Sequence, residues 1–166
     1  DSIFKSELKR QEISYERITH QPTFLNSVLW QATVETYDGY YVGVYSLLDA
    51  DKNIEFWHYE KNLPLREILV NDYTPYFQRL SKLSDGWFLL ESKDSGFMFR
   101  DMRFGQISFE SNPEDIVFAY EINVMQEPWT IRQLDPPRDK MKDVIGELFQ
   151  RVKGIKKPVP LETGLQ

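Results

Sequence analysis

The sequence predicts an α+β fold, in which an antiparallel sheet of about six or seven strands in hairpin meanders packs against a long C-terminal helix and short helices. Three observations support this fold class. Aromatic residues make up 14% of the 166 residues, a richness that favours sheet. Alternating apolar and polar residues flank tight turns, as they do in β-hairpins. Near the C-terminus, apolar residues recur at the spacing of one helix face.

The first half of the chain reads as a helix followed by a meander. The clearest pattern is a hairpin whose two-residue turn, Asp38-Gly39, would pair Tyr37 with Tyr40. Its first face (Trp30, Ala32, Val34, Tyr41, Gly43, Tyr45 and Leu47) is the expected core side. Its second face carries Tyr37 and Tyr40 and, with Trp57 of the next strand, is a candidate aromatic binding surface. The predicted elements are a helix over 1–11 and strands over 13–18, 29–37, 40–48 and 54–59.

The second half begins with two short helices, each opened by a proline at a position suited to a first helical turn. A second hairpin and one more strand follow. The final helix begins near 135–137 and ends at Gly154, and its apolar stripe is expected to lie buried on the sheet. The stripe consists of Met141, Val144, Ile145, Leu148, Phe149 and Val152. The other predicted elements are helices over 64–70 and 75–83 and strands over 87–91, 97–104 and 116–125.

The composition is that of one ordinary domain, which we assign to residues 1–155. Hydrophobic residues are 41% and charged residues 28% of the chain, a normal globular balance. Residues 156–166 hold two prolines and no periodicity, so they are expected to be a linker or a disordered tail. The net charge of −6 argues against a nucleic-acid-binding module. The sequence has no cysteine and no apolar stretch long enough to span a bilayer.

The strongest polar candidates are Asp101 and Arg103. Strand alternation puts them on one face, beside Phe97 and Phe99. They could form the polar anchor of a binding or docking surface. They could also be a buried ion pair that fixes strand register, which is the interpretation that we favour.

No metal site, cofactor or catalytic residue is predicted in this chain. His20 and His58 are far apart in the sequence and lack the short spacing of zinc motifs. Acidic and amide residues match part of a calcium-loop template, but Ile54 stands where that loop needs glycine. The matching residues are Asp49, Asp51, Asn53 and Glu60.

Three segments resemble a bacterial family of inner-membrane metal-dependent hydrolases, also labelled LexA-binding. Residues 23–49, TFLNSVLWQATVETYDGYYVGVYSLLD, resemble the family's P-T-P-F-N-x-L-L-W segment and the hairpin after it. Residues 77–91, FQRLSKLSDGWFLLE, resemble its R-F-S-x-G-Y-Y stretch, and residues 99–105, FRDMRFG, resemble its D-L-R-x-G element. The match is to the soluble C-terminal extension that some members carry.

The resemblance implies a non-catalytic domain with a binding, regulatory or substrate-presenting role. In the family, the metal ligands are His and Asp residues of the membrane-embedded N-terminal region. The implied divalent metal therefore belongs to that region, which would also be the partner of this domain. The opening DSIFKSELKR is interpreted as a cut from a longer protein of the bacterial inner membrane. Lys5, Lys9 and Arg10 favour the cytoplasmic side for this domain.

Two alternatives stay open. The chain could be a free-standing ligand-binding or protein-interaction domain that uses the aromatic second face of the hairpin. It could also be a hydrolase with carboxylates as acid and base, which would need a deep pocket lined by Asp101, Arg103 and another acid. The sequence leaves the ligand and the substrate open.

Overall fold

The computed structural model describes residues 2–23, 27–71, 75–109, 112–125, 128–135 and 141–156. It has the predicted α+β class and antiparallel meanders, but the strands form two sheets of four and not one sheet of six or seven. Within each sheet, every strand pairs with the next one in the sequence. The first sheet consists of β1 (Arg17–Pro22), β2 (Leu29–Glu35), β3 (Gly39–Ser46) and β4 (Phe56–Glu60). The second consists of β5 (Phe88–Lys93), β6 (Gly96–Gln106), β7 (Ile116–Asn123) and β8 (Thr130–Leu134).

The helices come before, between and after the sheets. Their bounds are α1 (Ser2–Arg10), α2 (Leu63–Asn71), α3 (Pro75–Leu83) and α4 (Met141–Val152), with a short 3₁₀ helix at Pro113–Asp115. α3 has the predicted bounds, and α1 and α2 differ from the predicted ranges by one residue at each end. None of the helices in the described ranges is long and apolar enough to cross a membrane.

Three apolar clusters explain why the chain makes two sheets. Between the sheets lie Tyr40, Val42, Tyr59, Trp87, Leu89, Met102 and Ile116. On the outer face of the first sheet, Phe4 of α1 packs with Ala32, Tyr45 and Ile54. On the outer face of the second sheet, Leu69, Phe77 and Leu80 of α2 and α3 pack on Phe88, Leu90, Phe97, Phe99 and Ile122. Both faces of the first hairpin are therefore covered, the first by α1 and the second by the other sheet.

α1 is fixed to the first sheet by Glu7. The Glu7 carboxylate accepts hydrogen bonds from Arg10, Gln11 and the Ile54 backbone N–H. The bonds from Arg10 lower the pKa of Glu7 to about 2, although burial acts in the opposite direction. An ionised Glu7 thus links the helix to the segment that precedes β4.

The hairpin between β2 and β3 turns one residue earlier than predicted. Glu35 pairs with Tyr40, and Thr36 and Gly39 close the turn around Tyr37-Asp38. Gly39 is the first residue of β3, and no side chain fits there: a Cβ would collide with the His58 ring and lie 2.6 Å from the Tyr59 carbonyl oxygen. The pairing shifts by two residues, so each side chain keeps its predicted face.

Two C-terminal elements differ from the prediction. β8 was not predicted, and α4 has 12 residues and is not a long helix on a sheet. Phe149 of its apolar stripe is 62% exposed and Ile145 is also exposed, because α1, α2 and α3 already occupy the outer sheet faces. α4 is held at its C-terminal end, where Arg151 pairs with Asp49 and Ser46 donates to the Val152 carbonyl. The predicted start of this helix at 136–140 and the tail from 157 lie outside the described residues.

Candidate functional site

A half-open pocket of about 190 Å³ lies on the outer face of the second sheet, beside the C-terminal end of α3. Both residues of the predicted polar pair, Asp101 and Arg103, line it. The remaining lining is apolar or aromatic: Leu80, Leu83, Phe99, Phe104, Phe118 and Tyr120. A concave apolar site with a few polar groups is the usual form of a binding site.

An irregularity in β6 builds one wall of this pocket. Asp101 pairs with Phe118, but the next pair is Gln106 with Ile116, so residues 102–105 of β6 stand opposite residue 117 alone. In a regular strand, Arg103 and Phe104 would point to opposite faces. Here the extra residues let both of them line the pocket.

The first sheet supports this irregular segment from behind. The Gln21 side-chain amide donates to the Arg103 carbonyl oxygen over 3.1 Å. Gly105 has a φ of +67°, and any Cβ there would overlap the side-chain amide of Gln31. The side-chain nitrogen of Gln31 is buried without a hydrogen-bond partner among the described residues. The shape of the pocket therefore depends on contacts between the two sheets.

The Asp101–Arg103 pair is partly buried. Asp101 Oδ1 accepts from the Arg103 backbone N–H over 3.0 Å and from Nε over 3.1 Å, and Oδ2 accepts from Nη2 over 2.7 Å. The Asp101 side chain is 7% exposed and that of Arg103 is 33% exposed. These hydrogen bonds from Asp101 raise the pKa of Arg103. The carboxylate is thus occupied by a permanent cation, the guanidinium of Arg103.

Aromatic rings form the other wall of the pocket. Phe104 and Phe118 meet edge to face, with ring centroids 4.8 Å apart. The Arg103 guanidinium lies 5.2 Å from the centroid of Phe104, within cation–π range. Phe99 and Tyr120 make a second edge-to-face pair. Such surfaces favour a flat apolar group at this site.

The three residues of the candidate aromatic surface do not share a surface. Tyr40 is fully buried between the sheets, where its hydroxyl accepts a hydrogen bond from the Phe88 N–H. Burial raises the pKa of Tyr40 above its usual value. Trp57 packs against the same cluster, and Tyr37 is exposed at the turn. The second sheet therefore covers the hairpin face that a free-standing binding domain was expected to use.

Next to Tyr40, an ionic cluster joins the two sheets. The Glu35 carboxylate pairs with Arg17 and Lys61, and Arg17 also donates to the carbonyl of Asp85 in the turn before β5. Lys61 and Glu35 are both buried. Burial alone would raise the pKa of Glu35, but the hydrogen bonds from Arg17 and Lys61 bring it below its usual value. This cluster is a structural link, since its carboxylate is shared by two cations.

The structure keeps the other polar candidates apart. His20 is on β1 and His58 on β4, at opposite edges of the first sheet, so three strand spacings keep them at least about 14 Å apart. Asp49 pairs with Arg151, and Asp51 pairs with Lys156. Within the described ranges, no group of three or more His, Cys, Asp or Glu side chains could hold a metal ion.

Sequence reasoning missed the apolar half of the site. Leu80 and Leu83 belong to a predicted helix stripe, and Phe118 and Tyr120 to one predicted strand face, but no local pattern links the two. The one signal that could have revealed the irregular segment is Gly105, because a glycine inside a strand often marks a bulge.

Comparison of the chain with protein-family models, with curated proteins and with solved structures found no match.

Proposed function

We propose that this chain is a non-catalytic binding domain and that its recognition site is the pocket beside Asp101 and Arg103. The observation that carries this proposal is the half-open, mainly aromatic pocket in which the single lining carboxylate is already paired. An apolar pocket with a neutralised polar pair can hold and orient a group. Its one carboxylate is held by Arg103, which disfavours a role for that group as a general acid or base.

We also propose the setting that the family resemblance implies. The chain would be the soluble C-terminal domain of a membrane-bound metal-dependent hydrolase of the bacterial inner membrane, facing the cytoplasm. Its partner would be the membrane-embedded N-terminal region, which would hold the divalent metal. In support, the D-L-R-x-G-like segment contributes Asp101 and Arg103 to the lining of the pocket, and the segment over 77–91 contributes Leu80 and Leu83.

The carboxylate-based hydrolase is less well supported. It would need a second acid in the pocket, and Asp101 is the one carboxylate among the lining residues. A hydrolytic acid and base would also need freedom to exchange protons, whereas Asp101 accepts three hydrogen bonds from Arg103.

The binding role is tested by nuclear magnetic resonance with phenol as the probe. Phenol at millimolar concentration should cause saturable shifts in the amide signals of residues 99–104 and 118–120. The Leu83→Glu variant, which changes an exposed pocket residue, should weaken these shifts. The absence of saturable shifts at the pocket would contradict the binding role.

Catalysis is tested separately with p-nitrophenyl acetate. Hydrolysis by the chain and by Asp101→Asn should be equal. A rate of hydrolysis about tenfold or more lower in the variant would favour the hydrolase.

The proposed membrane setting is tested by reading the coding sequence upstream of Asp1, which should encode apolar segments of about 20 residues and a histidine motif.

A further inference from the structure

We infer that the pocket receives an aromatic side chain from a partner protein, in a segment where carboxylates flank the aromatic residue. This inference rests on the proposed binding function of the pocket. It adds the kind of partner and the features by which that partner is recognised.

The volume of the pocket fits one ring. A closed cavity of about 150 Å³ holds one benzene molecule, and sites for drug-sized ligands have about 300–1,000 Å³. With about 190 Å³, this pocket is suited to a single aromatic group. Phe99, Phe104, Phe118 and Tyr120 offer it the ring contacts that aromatic groups prefer.

The surroundings of the pocket favour a polypeptide over a free small molecule. Leu83 at the mouth is 66% exposed, and Phe104 is also exposed. A peptide that inserts one aromatic side chain would cover this apolar rim with its backbone and neighbouring residues, as aromatic anchors do at protein interfaces.

The charge at the rim favours carboxylates next to the aromatic residue. Arg79 is exposed and lies one helical turn before Leu83 on the same face of α3. Arg103 is partly exposed, and Lys82 adds a further cation to this end of the helix. Asp101 and Asp85 offset part of this charge, so the rim is weakly basic in a chain whose net charge is −6. Rim charges of this kind tune partner choice more than affinity.

The test compares three peptides by their effect on the amide spectrum of the whole chain. They are acetyl-Gly-Asp-Phe-Asp-Gly-amide, the same peptide with Lys in place of both Asp, and the Asp peptide with Ala in place of Phe. We expect the Asp-Phe-Asp peptide to shift residues 99–104 and 118–120 and to bind at least about threefold more tightly than the Lys peptide. The Ala peptide should cause no saturable shifts.

A matched pair of charge reversals tests the rim. Arg79→Glu should reduce the preference for the Asp peptide by about two- to fivefold, as expected for an exposed charge pair. Lys93→Glu is the control, because Lys93 lies at the tip of the β5–β6 hairpin, about 17 Å along the strand from Asp101 and beyond the screening length in physiological salt. Both residues are exposed, so neither change should prevent folding.

Each negative outcome of these experiments contradicts a different part of the proposal. Equal or tighter binding of the Lys peptide would overturn the acidic partner and leave the pocket as a binding site. Binding of phenol but of neither phenylalanine peptide would overturn the protein segment as occupant. Concentration-dependent shifts of the pocket signals in the chain alone, lost in Phe149→Ala, would identify a second copy as the occupant and overturn a separate partner. No response to phenol or to any peptide would contradict the binding function itself.

Discussion

At Gly105, two constraints act on one residue. Its φ of +67° is a conformation that side chains disfavour, and the Gln31 amide occupies the space of a Cβ. We predict that Gly105→Ala lowers the free energy of unfolding by about 2–5 kcal/mol, from backbone strain and overpacking together. Urea unfolding measures this value, and the same change should weaken phenol binding by displacing Arg103 and Phe104.

Gly146 provides the control for that substitution. It lies in α4, with open space among the described residues at the position that a Cβ would take. Gly146→Ala should therefore raise the free energy of unfolding by up to about 1 kcal/mol through helix propensity. Similar effects of the two substitutions would show that the contact between Gly105 and Gln31 does not hold the irregular segment.

Asp101 and Arg103 should contribute unequally to stability. Asp101→Ala removes the acceptor of the Arg103 backbone N–H from a nearly buried position, which we expect to cost about 2–3 kcal/mol. Arg103→Ala should cost about 1 kcal/mol, since that side chain is one third exposed and Asp101 keeps the backbone N–H as a donor. Urea unfolding of both variants measures these two costs. A larger loss of unfolding free energy for Arg103→Ala than for Asp101→Ala would contradict this prediction.

The sequence could predict that Asp101 and Arg103 share a face, because strand alternation is a local rule. It could not predict that Phe104 joins them. That position depends on the unpaired residues of β6 and on the contact of Gly105 with Gln31 from the other sheet. Local pattern therefore indicated the polar half of the pocket and left out part of the apolar half.

The attachment of α4 to the first sheet depends on contacts of its last turn. Arg151 donates to both oxygens of Asp49, a side chain that is fully buried, and also to the Val44 carbonyl. We predict that Arg151→Ala costs about 3–5 kcal/mol, because it leaves a buried carboxylate without its cation. Chemical denaturation measures the loss.

Phe149 on the same helix is the comparison for Arg151. Because its ring is largely exposed, Phe149→Ala should change the free energy of unfolding by less than about 0.5 kcal/mol. A loss near that of a core phenylalanine, about 3–5 kcal/mol, would mean that α4 packs more closely than the structure shows.

The bounds of the helices and the faces of the hairpin strands were predicted better than the strand register and the edge strand β8. The bounds of α3 and the faces of β2 and β3 follow from short-range periodicity. The hairpin register did not, because Gly39 was assigned to the turn, whereas it lies in β3 with His58 and Tyr59 of the next strand packed closely against it. β8 was missed because its residues are mostly exposed and lack an alternating apolar pattern.

Glu35 links the two sheets of the protein. Its carboxylate pairs with Lys61, the residue after β4, and with Arg17 of β1. Arg17 also donates a hydrogen bond to the Asp85 carbonyl in the turn before β5. Since its folded pKa lies below the usual 4.5, this stabilisation is complete above about pH 4.5 and is lost as the pH falls. We predict that Glu35→Gln costs about 2–4 kcal/mol at pH 7, somewhat less than the loss of a fully buried pair, because Arg17 is partly exposed.

The measurement is urea unfolding at several pH values. The difference in stability between the chain and Glu35→Gln should shrink as the pH falls below about 4.5, because the unfolded chain then binds a proton at Glu35 more readily than the folded chain does. A difference that stays constant down to about pH 2 would show that the charge of Glu35 does not hold the sheets together.

The division into two sheets could not be predicted from the sequence. Strand patterns show which residues face an apolar surface, but they do not show whether that surface is a helix or a second sheet. The second face of the first hairpin mixes Gln31, Thr33 and Glu35 with apolar residues, a pattern that allows partial cover but does not identify what covers it. In the structure these side chains are buried, and the carboxylate of Glu35 is paired with two cations.

The order of the strands has a consequence for folding kinetics. Each strand pairs with its neighbour in sequence, so both meanders close only short loops, and the first is complete at Glu60 before the second begins at Phe88. Each sheet can therefore assemble as a separate cooperative unit, and docking of the two, sealed by Tyr40 and Glu35, follows. In native-state hydrogen exchange, the amides of β1–β4 and those of β5–β8 should then open as two groups, each with its own free energy of opening.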